Sequence, residues 1–339
     1  MEKSQIEAIQ LLLKQPKNIV IVPHRNPDGD AMGSTLALYH YLISLGHEAS
    51  VIAPNDYPEF LKWLPGTDLV KQFEFDEEEC SKLIAESEII FTLDFNDLSR
   101  VGNQMGNILE TASSLKIMID HHQQPSAYAK YMYSNVEISS TCEMVYNFIE
   151  FLGDESKIDA VIATCLYTGI MTDTGSFRFP STTSRTLEIA GDLMKRGANH
   201  SDIHNQVFDT NSYNRLQLLS CALGNLKILK DYNTAYISLS QEELDKFEFK
   251  KGDTEGFVNY GLSIKGIVMA VIFIENVQDD IIKISFRSKG SFSVNDFARS
   301  HFNGGGHTNA AGGRSETSLN GAIEKFISIL PAYKQQLAP

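Results

Sequence analysis

Basic side chains are in deficit in this 339-residue sequence: 29 Lys and Arg stand against 43 Asp and Glu, a formal net charge of −14 at pH 7. Long duplex DNA and anionic membranes, which are bound by neutralising phosphate, are therefore disfavoured partners. A small basic pocket for a short nucleotide is not excluded. Cysteine is sparse as well. Cys80, Cys142, Cys165 and Cys221 lie far apart and form no CxxC pair, which fits reduced thiols packed as small hydrophobes in a cytosolic protein. Long apolar runs are missing too. The stretch Val161 to Met171 is interrupted by Thr164, Thr168 and Gly169 and falls short of the ~18 residues that suggest a membrane span. With Glu2 and polar residues interleaved around Leu11, Leu12 and Leu13, the N-terminus lacks the apolar core of a signal peptide. A cytoplasmic location is expected. Neither an internal repeat nor a low-complexity segment is evident. A GxSxG elbow, a Walker A loop and a dinucleotide fingerprint are all absent, so serine-nucleophile, NTPase and dehydrogenase readings lack their parts.

What is present is ordinary globular composition, 42% apolar and 21% charged, which excludes disorder, collagen-like repeats and coiled coil. At roughly 100–200 residues per domain the length suggests two domains. The first half alternates strand and helix. Helical spacing covers Gln5 to Leu13, and Asn18 to Val22 reads as a buried strand; a helix spans about Ala31 to Leu45, ended by Gly46. Further strands are expected near Ala49 to Ile52, Glu88 to Leu93 and Lys116 to Ile119, and a helix from about Asp159 to Thr172. Short continuous apolar runs separated by helices predict an α/β domain with a mostly parallel sheet covered by helices on both faces. Beyond Gly175 the pattern changes. Ser184 to Lys195 and Ser212 to Leu229 read as helices, the latter long enough to bridge domains; hairpin-like strands follow at Thr234 to Ser240, Lys265 to Glu275 and Asp280 to Phe286, then a final helix from Leu319 to Leu330. The expected division is residues 1–195, a helical linker at 196–230, and a smaller α/β domain at 231–339.

Polar, metal-capable residues close four of the first-half segments: His24, Asp28 and Asp30 after the first strand; Asp94 after Ile89 to Leu93; Asp120, His121 and His122 after Lys116 to Ile119; and Asp173 at a helix end. In parallel α/β sheets ligands bind outside the carboxyl ends of strands, and three of these segments belong at that edge. Singly, each motif is weak, because an Asp after a strand is most often a turn or N-cap residue. Together their carboxylates and imidazoles could not stay buried and unpaired, since desolvated charge costs several kcal/mol per ion. Divalent cations resolve this. Histidine and carboxylate without thiolate suit Mn²⁺, or less specifically Mg²⁺ or Fe²⁺. The number of ligands fits two ions about 3.5–4 Å apart with one carboxylate bridging.

In the second half, Gly304-Gly305-Gly306-His307 and the following Ala-Ala-Gly-Gly read as a loop whose bare amides approach an anion at the start of a helix. Arg287 ends a strand, and its planar fork suits a phosphate; Arg299 opens or lies on a helix. Arg100 and Arg178 follow the metal-candidate segments and could touch substrate. His200 and His204 have i,i+4 spacing but no third ligand nearby, and read as a solvated helix start. His40, His47 and His301 read as structural or exposed, and Tyr128, Tyr131 and Tyr133 as a strand or core cluster.

The ordered set His24-x-Asn-Pro-Asp28-Gly-Asp30-Ala-x-Gly33-Ser34, Asp94, Asp120-His121-His122, Thr172-Asp173-Thr-Gly175, Arg287-Ser288 and Gly304-Gly-Gly-His307 resembles the DHH/DHHA1 phosphoesterases, and the branch of nanoRNases and pAp phosphatases in particular. That resemblance implies a DHH domain joined by a helical linker to a DHHA1 substrate domain. One Mn²⁺ would be held by His24, Asp28 and Asp94, a second by Asp30, Asp94, His121 and Asp173, with Asp94 as the catalytic bridge. His122 would face the scissile phosphate. Arg287, Ser288, Arg299, His307 and the Gly304, Gly305 and Gly306 backbone would contact substrate. The expected activity is hydrolysis of short oligoribonucleotides to mononucleotides and of 3′-phosphoadenosine 5′-phosphate (pAp) to AMP. Cyclic di-AMP or pApA hydrolysis is the alternative within enzymes, and a nucleotide-binding protein without turnover the alternative outside them. A cleft between the domains would admit a few nucleotides, and the reading leaves room for a homodimer.

Overall fold

The computed structural model describes residues 1–338, which divide into one compact unit spanning Met1–Thr210 and a second from Asn211 onward. In the first unit, strands β1 (Asn18–Pro23), β2 (Glu48–Ala53), β3 (Lys71–Gln72), β4 (Ile89–Leu93), β5 (Leu115–Asp120) and β6 (Tyr131–Ser134) form a six-stranded sheet in the order β3-β2-β1-β4-β5-β6. Every neighbouring pair is parallel. The continuous apolar runs have a direct cause. Alternate residues of a strand face opposite sides, and Ile19 and Ile21 enter one core while Val20 and Val22 enter another. β4 divides likewise, with Phe91 on the first side and Ile90 on the second. Both faces are thus covered, and the one polar residue inside β4, Thr92, has its hydroxyl paired with that of Tyr128 at 2.8 Å.

The Gly29–Ser44 and Ala160–Asp173 helices pack closely together within the larger core. Two glycines permit it. A Cβ on Gly33 would lie 2.6 Å from the Cys165 carbonyl oxygen, and one on Gly169 would collide with Cys142 Sγ. This close approach brings Asp30, in the first turn of one helix, toward Asp173 at the end of the other.

In the second unit, β7 (Lys227–Leu229), β8 (Thr234–Leu239), β9 (Met269–Asn276), β10 (Ile281–Ser288), β11 (Gly305–His307) and β12 (Ala310–Ser315) form a mixed sheet in the order β11-β12-β10-β9-β8-β7. Three expectations change here. β8 and β9 do not form a hairpin but pair in parallel, because the Gln241–Lys246 and Phe257–Ser263 helices carry the chain back along the sheet. The helix expected from Ser212 to Leu229 stops at Gly224, and the chain then enters β7. Its Leu218 and Ala222 are buried with Ile237, Leu239 and Phe257, so it contributes to the core of the second unit instead of serving as a linker. The glycine-rich segment is not a loop at a helix start either. It forms the β11–β12 hairpin at the sheet edge, with Gly305 opposite Gly312 and Gly306 opposite Ala311. A Cβ on Gly306, whose φ is +152°, would sit 2.5 Å from the Ala310 carbonyl oxygen, so the missing side chains serve close backbone pairing.

Among the described residues, no helix is long and apolar enough to cross a membrane.

Candidate metal centre and an arginine–histidine face

The carboxyl ends of β1, β4 and β5 deliver His24, Asp94 and the Asp120-His121-His122 run to one edge of the first sheet. Asp28 caps the Gly29–Ser44 helix, its Oδ1 accepting from the amides of Asp30 and Ala31 at 3.1 Å each. Its Oδ2 lies 3.8 Å from His24 Nε2. The N-cap role and a ligand role therefore use different oxygens of one carboxylate.

Asp94 occupies the centre. Its Oδ2 is 3.4 Å from His24 Nε2, and its Oδ1 is 3.4 Å from His121 Nε2 and 3.6 Å from His122 Nδ1. His121 Nε2 also lies 3.7 Å from Asp30 Oδ2 and 3.6 Å from Asp173 Oδ2. These separations exceed a good N–H···O bond. They are close to the roughly 3–3.6 Å between two donors that each sit about 2.0–2.2 Å from a shared ion. Histidine tautomers agree with this arrangement. His24 Nδ1 is 2.9 Å from the Arg25 carbonyl oxygen and His121 Nδ1 3.2 Å from that of Ile138. With Nδ1 donating, each Nε2 faces the carboxylates, where it can carry a proton or, in the neutral ring, offer its lone pair to a cation between them.

The backbone at Asp94 is left-handed, with φ +65°. For a non-glycine residue this conformation is uncommon and costs of order 1–3 kcal/mol, and it clusters at functional sites. Asp173 carries a second penalty, since a carboxylate at a helix C-terminus opposes the helix dipole. A cation beside it reverses that sign.

Charge balance in the cluster points the same way. Burial favours the neutral form of Asp30, and the charges of Asp94 and Asp173 add to this, holding its carboxyl well above the usual range. Asp94 is pushed up by burial but pulled down further by His121, His24 and His122, so it stays ionised well below the usual range. Burial lowers His121, yet Asp94, Asp173 and Asp30 outweigh it and hold the imidazole well above its ordinary value; His24 is raised for the same reason by Asp94 and Asp28. Protons on imidazoles thus balance carboxylates that a divalent cation would otherwise balance. The groups His24–Asp28–Asp94 and Asp30–Asp94–His121 each gather enough donor atoms to hold a metal ion, and they share Asp94. The donor set is nitrogen and oxygen. The nearby Cys142 thiol is kept protonated by burial and by Asp30.

Two residues that sequence reasoning missed complete the site. At the start of the Thr141–Phe151 helix, the backbone amides of Thr141 and Cys142 donate to Asp30 Oδ2 and Oδ1 at 2.6 and 2.8 Å. The Thr141 hydroxyl donates to Asp94 Oδ1 at 2.9 Å. The Ser140-x-x-Glu143 pattern announces a helix start, but nothing local tells where it points. His122 Nδ1 lies 2.7 Å from Asp120 Oδ1, and Asp120 is fully buried. Arg100 and Arg178 are exposed; Arg178 Nε donates to the Gly175 carbonyl at 2.7 Å.

In the second unit, strand register places Arg287, Ala310 and His307 in one row across β10, β12 and β11. Side chains of one row share a face, so Arg287 and His307 flank a small alanine. Arg299 belongs to the same face, with its guanidinium 3.5 Å from where a Gly305 Cβ would be. Two of the expected anion-binding amides are already engaged, Gly306 N–H by Asn295 Oδ1 at 2.9 Å and Gly304 N–H by the Ala298 carbonyl at 3.3 Å. Ser288 is buried. Its hydroxyl donates to the Phe292 carbonyl at 2.6 Å and accepts from Asn309 Nδ2 at 2.9 Å, so it braces the scaffold instead of facing a ligand.

An open parallel sheet with carboxylates and imidazoles gathered at its carboxyl edge, carried on one chain with a mixed-sheet domain that presents arginine and histidine, defines a two-domain phosphoesterase. The family model described as "DHH family, N-terminal domain" matches residues 18–170, and the "DHHA1 domain" model matches residues 231–336. The chain belongs to the DHH family, in its DHH–DHHA1 form. It is 33% identical over 326 residues to a Thermus thermophilus protein named "Bifunctional oligoribonuclease and PAP phosphatase NrnA", covering 94% of this chain and 90% of the relative. A Bacillus subtilis protein of the same name is 31% identical over 296 residues, covering 87% and 88%. The crystal structure of an exopolyphosphatase-related protein from Bacteroides fragilis superposes with a TM-score of 0.93 at 42% identity, covering 99% of this chain and 98% of that one.

Proposed function

We infer that this protein is a Mn²⁺-dependent phosphoesterase that cleaves RNA fragments of a few nucleotides to mononucleotides and removes the 3′ phosphate of pAp. The observation that carries this reading is the division of Asp94, one oxygen toward His24 and the other toward His121 and His122, within a buried cluster at the carboxyl edge of the sheet. His24, Asp28 and Asp94 would hold one cation, and Asp30, Asp94, His121 and Asp173 the other. Divalent cations there supply Lewis acidity toward a phosphoryl group and toward water.

The chain's own groups supply the rest. With Nδ1 held on Asp120, His122 presents Nε2 as the proton donor to a leaving oxygen. Arg287, Arg299 and His307 offer charge-assisted hydrogen bonds to the phosphate of a short substrate. The net charge of −14 suits a fragment that needs only local positive charge, and opposes a long duplex. The relatives named oligoribonuclease and PAP phosphatase support the same substrate class. A cytoplasmic location belongs to this reading, and the free thiols of Cys80, Cys142, Cys165 and Cys221 are in keeping with it.

The test is incubation of the purified protein with labelled dinucleotide and with pAp in Mn²⁺. Mononucleotide and AMP are expected, with kcat/KM for pAp and pApA above that for cyclic di-AMP. No product over background beside an active control overturns the reading. Preference for cyclic di-AMP replaces its substrate, and tight nucleotide binding without turnover replaces catalysis by sensing.

A further inference from the structure

The helix that ends in Asp173 is followed by three consecutive left-handed residues, Gly175, Ser176 and Phe177, with φ of +57°, +60° and +63°. Glycine adopts that region freely, but a serine and a phenylalanine in succession are strained there. Such a turn persists only when its surroundings hold it. Local bonds supply part of the hold: the Ser176 amide donates to the Met171 carbonyl at 2.8 Å, and the Phe177 amide to Thr174 Oγ1 at 3.0 Å. Arg178 Nε adds a bond to the Gly175 carbonyl, and a side-chain contact to Ser176 comes from a separate helix, His200–Phe208. His204 Nε2 lies 3.1 Å from Ser176 Oγ. Its Nδ1 is 2.7 Å from the His200 carbonyl oxygen, which can only accept, so neutral His204 carries its proton on Nδ1 and accepts the Ser176 hydroxyl at Nε2. The ring also packs against Tyr167, which in turn packs against Phe177. A residue dismissed by spacing as a solvated helix start therefore clamps the strained turn.

We propose that His204 is a positioning residue for Asp173: by accepting the Ser176 hydroxyl it holds the left-handed turn that aims this carboxylate into the metal centre. The proposal rests on Asp173 being a cation ligand. Groups behind a ligand typically change metal affinity by about 10–100-fold when removed, so the effect falls on the site containing Asp173 and spares the one built on His24 and Asp28.

Calorimetric titration of the full-length protein with MnCl₂, before any substrate is added, tests this directly. His204→Leu and Ser176→Ala should each weaken one class of Mn²⁺ site by about tenfold or more and leave the other unchanged. His204→Gln, which restores an acceptor near the Nε2 position, should stay within about threefold of wild type, and the Leu/Ala double variant should be no worse than either single one. Should His204→Leu fail to fold by circular dichroism, Ser176→Ala decides alone. Wild-type affinity in both single variants, equal losses at both sites, or no rescue by glutamine overturns the proposal. Wild-type protein that binds Mn²⁺ in this pattern but hydrolyses neither dinucleotide nor pAp removes the substrate assignment and leaves the role of His204 standing; absence of Mn²⁺ binding removes both.

Discussion

Thr141 donates its hydroxyl to Asp94 Oδ1 across 2.9 Å, from the first turn of a helix whose amides grip Asp30. One residue thus holds the carboxylate shared by both donor groups and, through its backbone, a second carboxylate beside it. Thr141→Val keeps the branched shape and the backbone amide while deleting the hydroxyl. A hydrogen bond to a charged group is worth about 1.5–3 kcal/mol. The variant should remain folded, bind Mn²⁺ about 10–100-fold more weakly, and regain turnover as Mn²⁺ is raised. Unchanged Mn²⁺ dependence would show that the bond does not orient Asp94.

The same cluster sets a pH dependence with a definite sign. Asp94 and Asp28 raise His24, while Asp94, Asp173 and Asp30 raise His121, in each case against the lowering effect of burial. Raised imidazole pKa values stabilise the fold fully below the unfolded value of about 6.5, and this stability is lost as pH climbs through the folded values. Asp30, raised by burial and then by Asp94 and Asp173, acts in the same direction. Asp94 is held low despite burial, so its contribution exists above the unfolded carboxylate pKa and disappears only in strong acid. In EDTA, Tm should therefore fall as pH rises above the ordinary imidazole value of about 6.5. Mn²⁺ must displace those protons, so the Tm increment it produces should grow over the same interval. Thermal scans at matched ionic strength check both slopes; an increment independent of pH would remove the proton-for-metal exchange.

The first sheet was legible because its strands are buried on both faces. Ile19 to Val22 are apolar without alternation, Ile89 to Leu93 are broken only by Thr92, and the metal-capable residues just beyond these runs, His24 and Asp94, mark the carboxyl edge. Asp173 was legible as a helix end for a similar reason. The partners that arrange these groups were not. Thr141 meets Asp30 across 111 positions of sequence, and His204 meets Ser176 through packing that no local spacing encodes. In the second unit, glycine's two uses look alike in one dimension: a bare amide facing an anion and a missing Cβ beside another strand. Gly304 and Gly306 take the second. The parallel pairing of β8 with β9 was hidden because short crossing helices, Gln241–Lys246 and Phe257–Ser263, resemble loop.

Adjacent residues of β10 should separate binding from scaffolding. Arg287 lies in the row with Ala310 and His307, whereas Ser288 is buried and bonded to Phe292 and Asn309. Arg287→Ala should raise KM for dinucleotide and pAp by about 10–100-fold, as loss of a charge-assisted phosphate contact worth about 1.5–3 kcal/mol implies, with kcat little changed. Ser288→Ala should leave KM alone and destabilise the protein by about 1–3 kcal/mol, visible as a lower Tm. If Ser288→Ala raises KM at unchanged Tm, the buried serine has been assigned to the wrong task.

Asp120 and His122 provide the sharpest test of the chemistry. Asp120 is fully buried, and its Oδ1 stands 2.7 Å from His122 Nδ1; it clusters with Asp94 and His122 but with neither His24 and Asp28 nor Asp30 and His121. Asp120→Asn keeps the shape but loses the charge that stabilises the imidazolium and fixes the proton on Nδ1. An asparagine that offers its amide N–H to Nδ1 removes the Nδ1–H···Oδ1 bond that fixes the tautomer and orients the ring. General acid catalysis contributes about 10²–10⁴-fold. The variant should lose kcat in that range while Mn²⁺ affinity and KM stay near wild type. The loss should shrink for a substrate whose leaving group is a nitrophenolate, because a phenolate leaves without a proton. Measuring kcat for pAp beside a p-nitrophenyl phosphodiester separates the outcomes: equal losses on both would mean that the Asp120–His122 pair serves the metal centre or the fold, not the leaving oxygen.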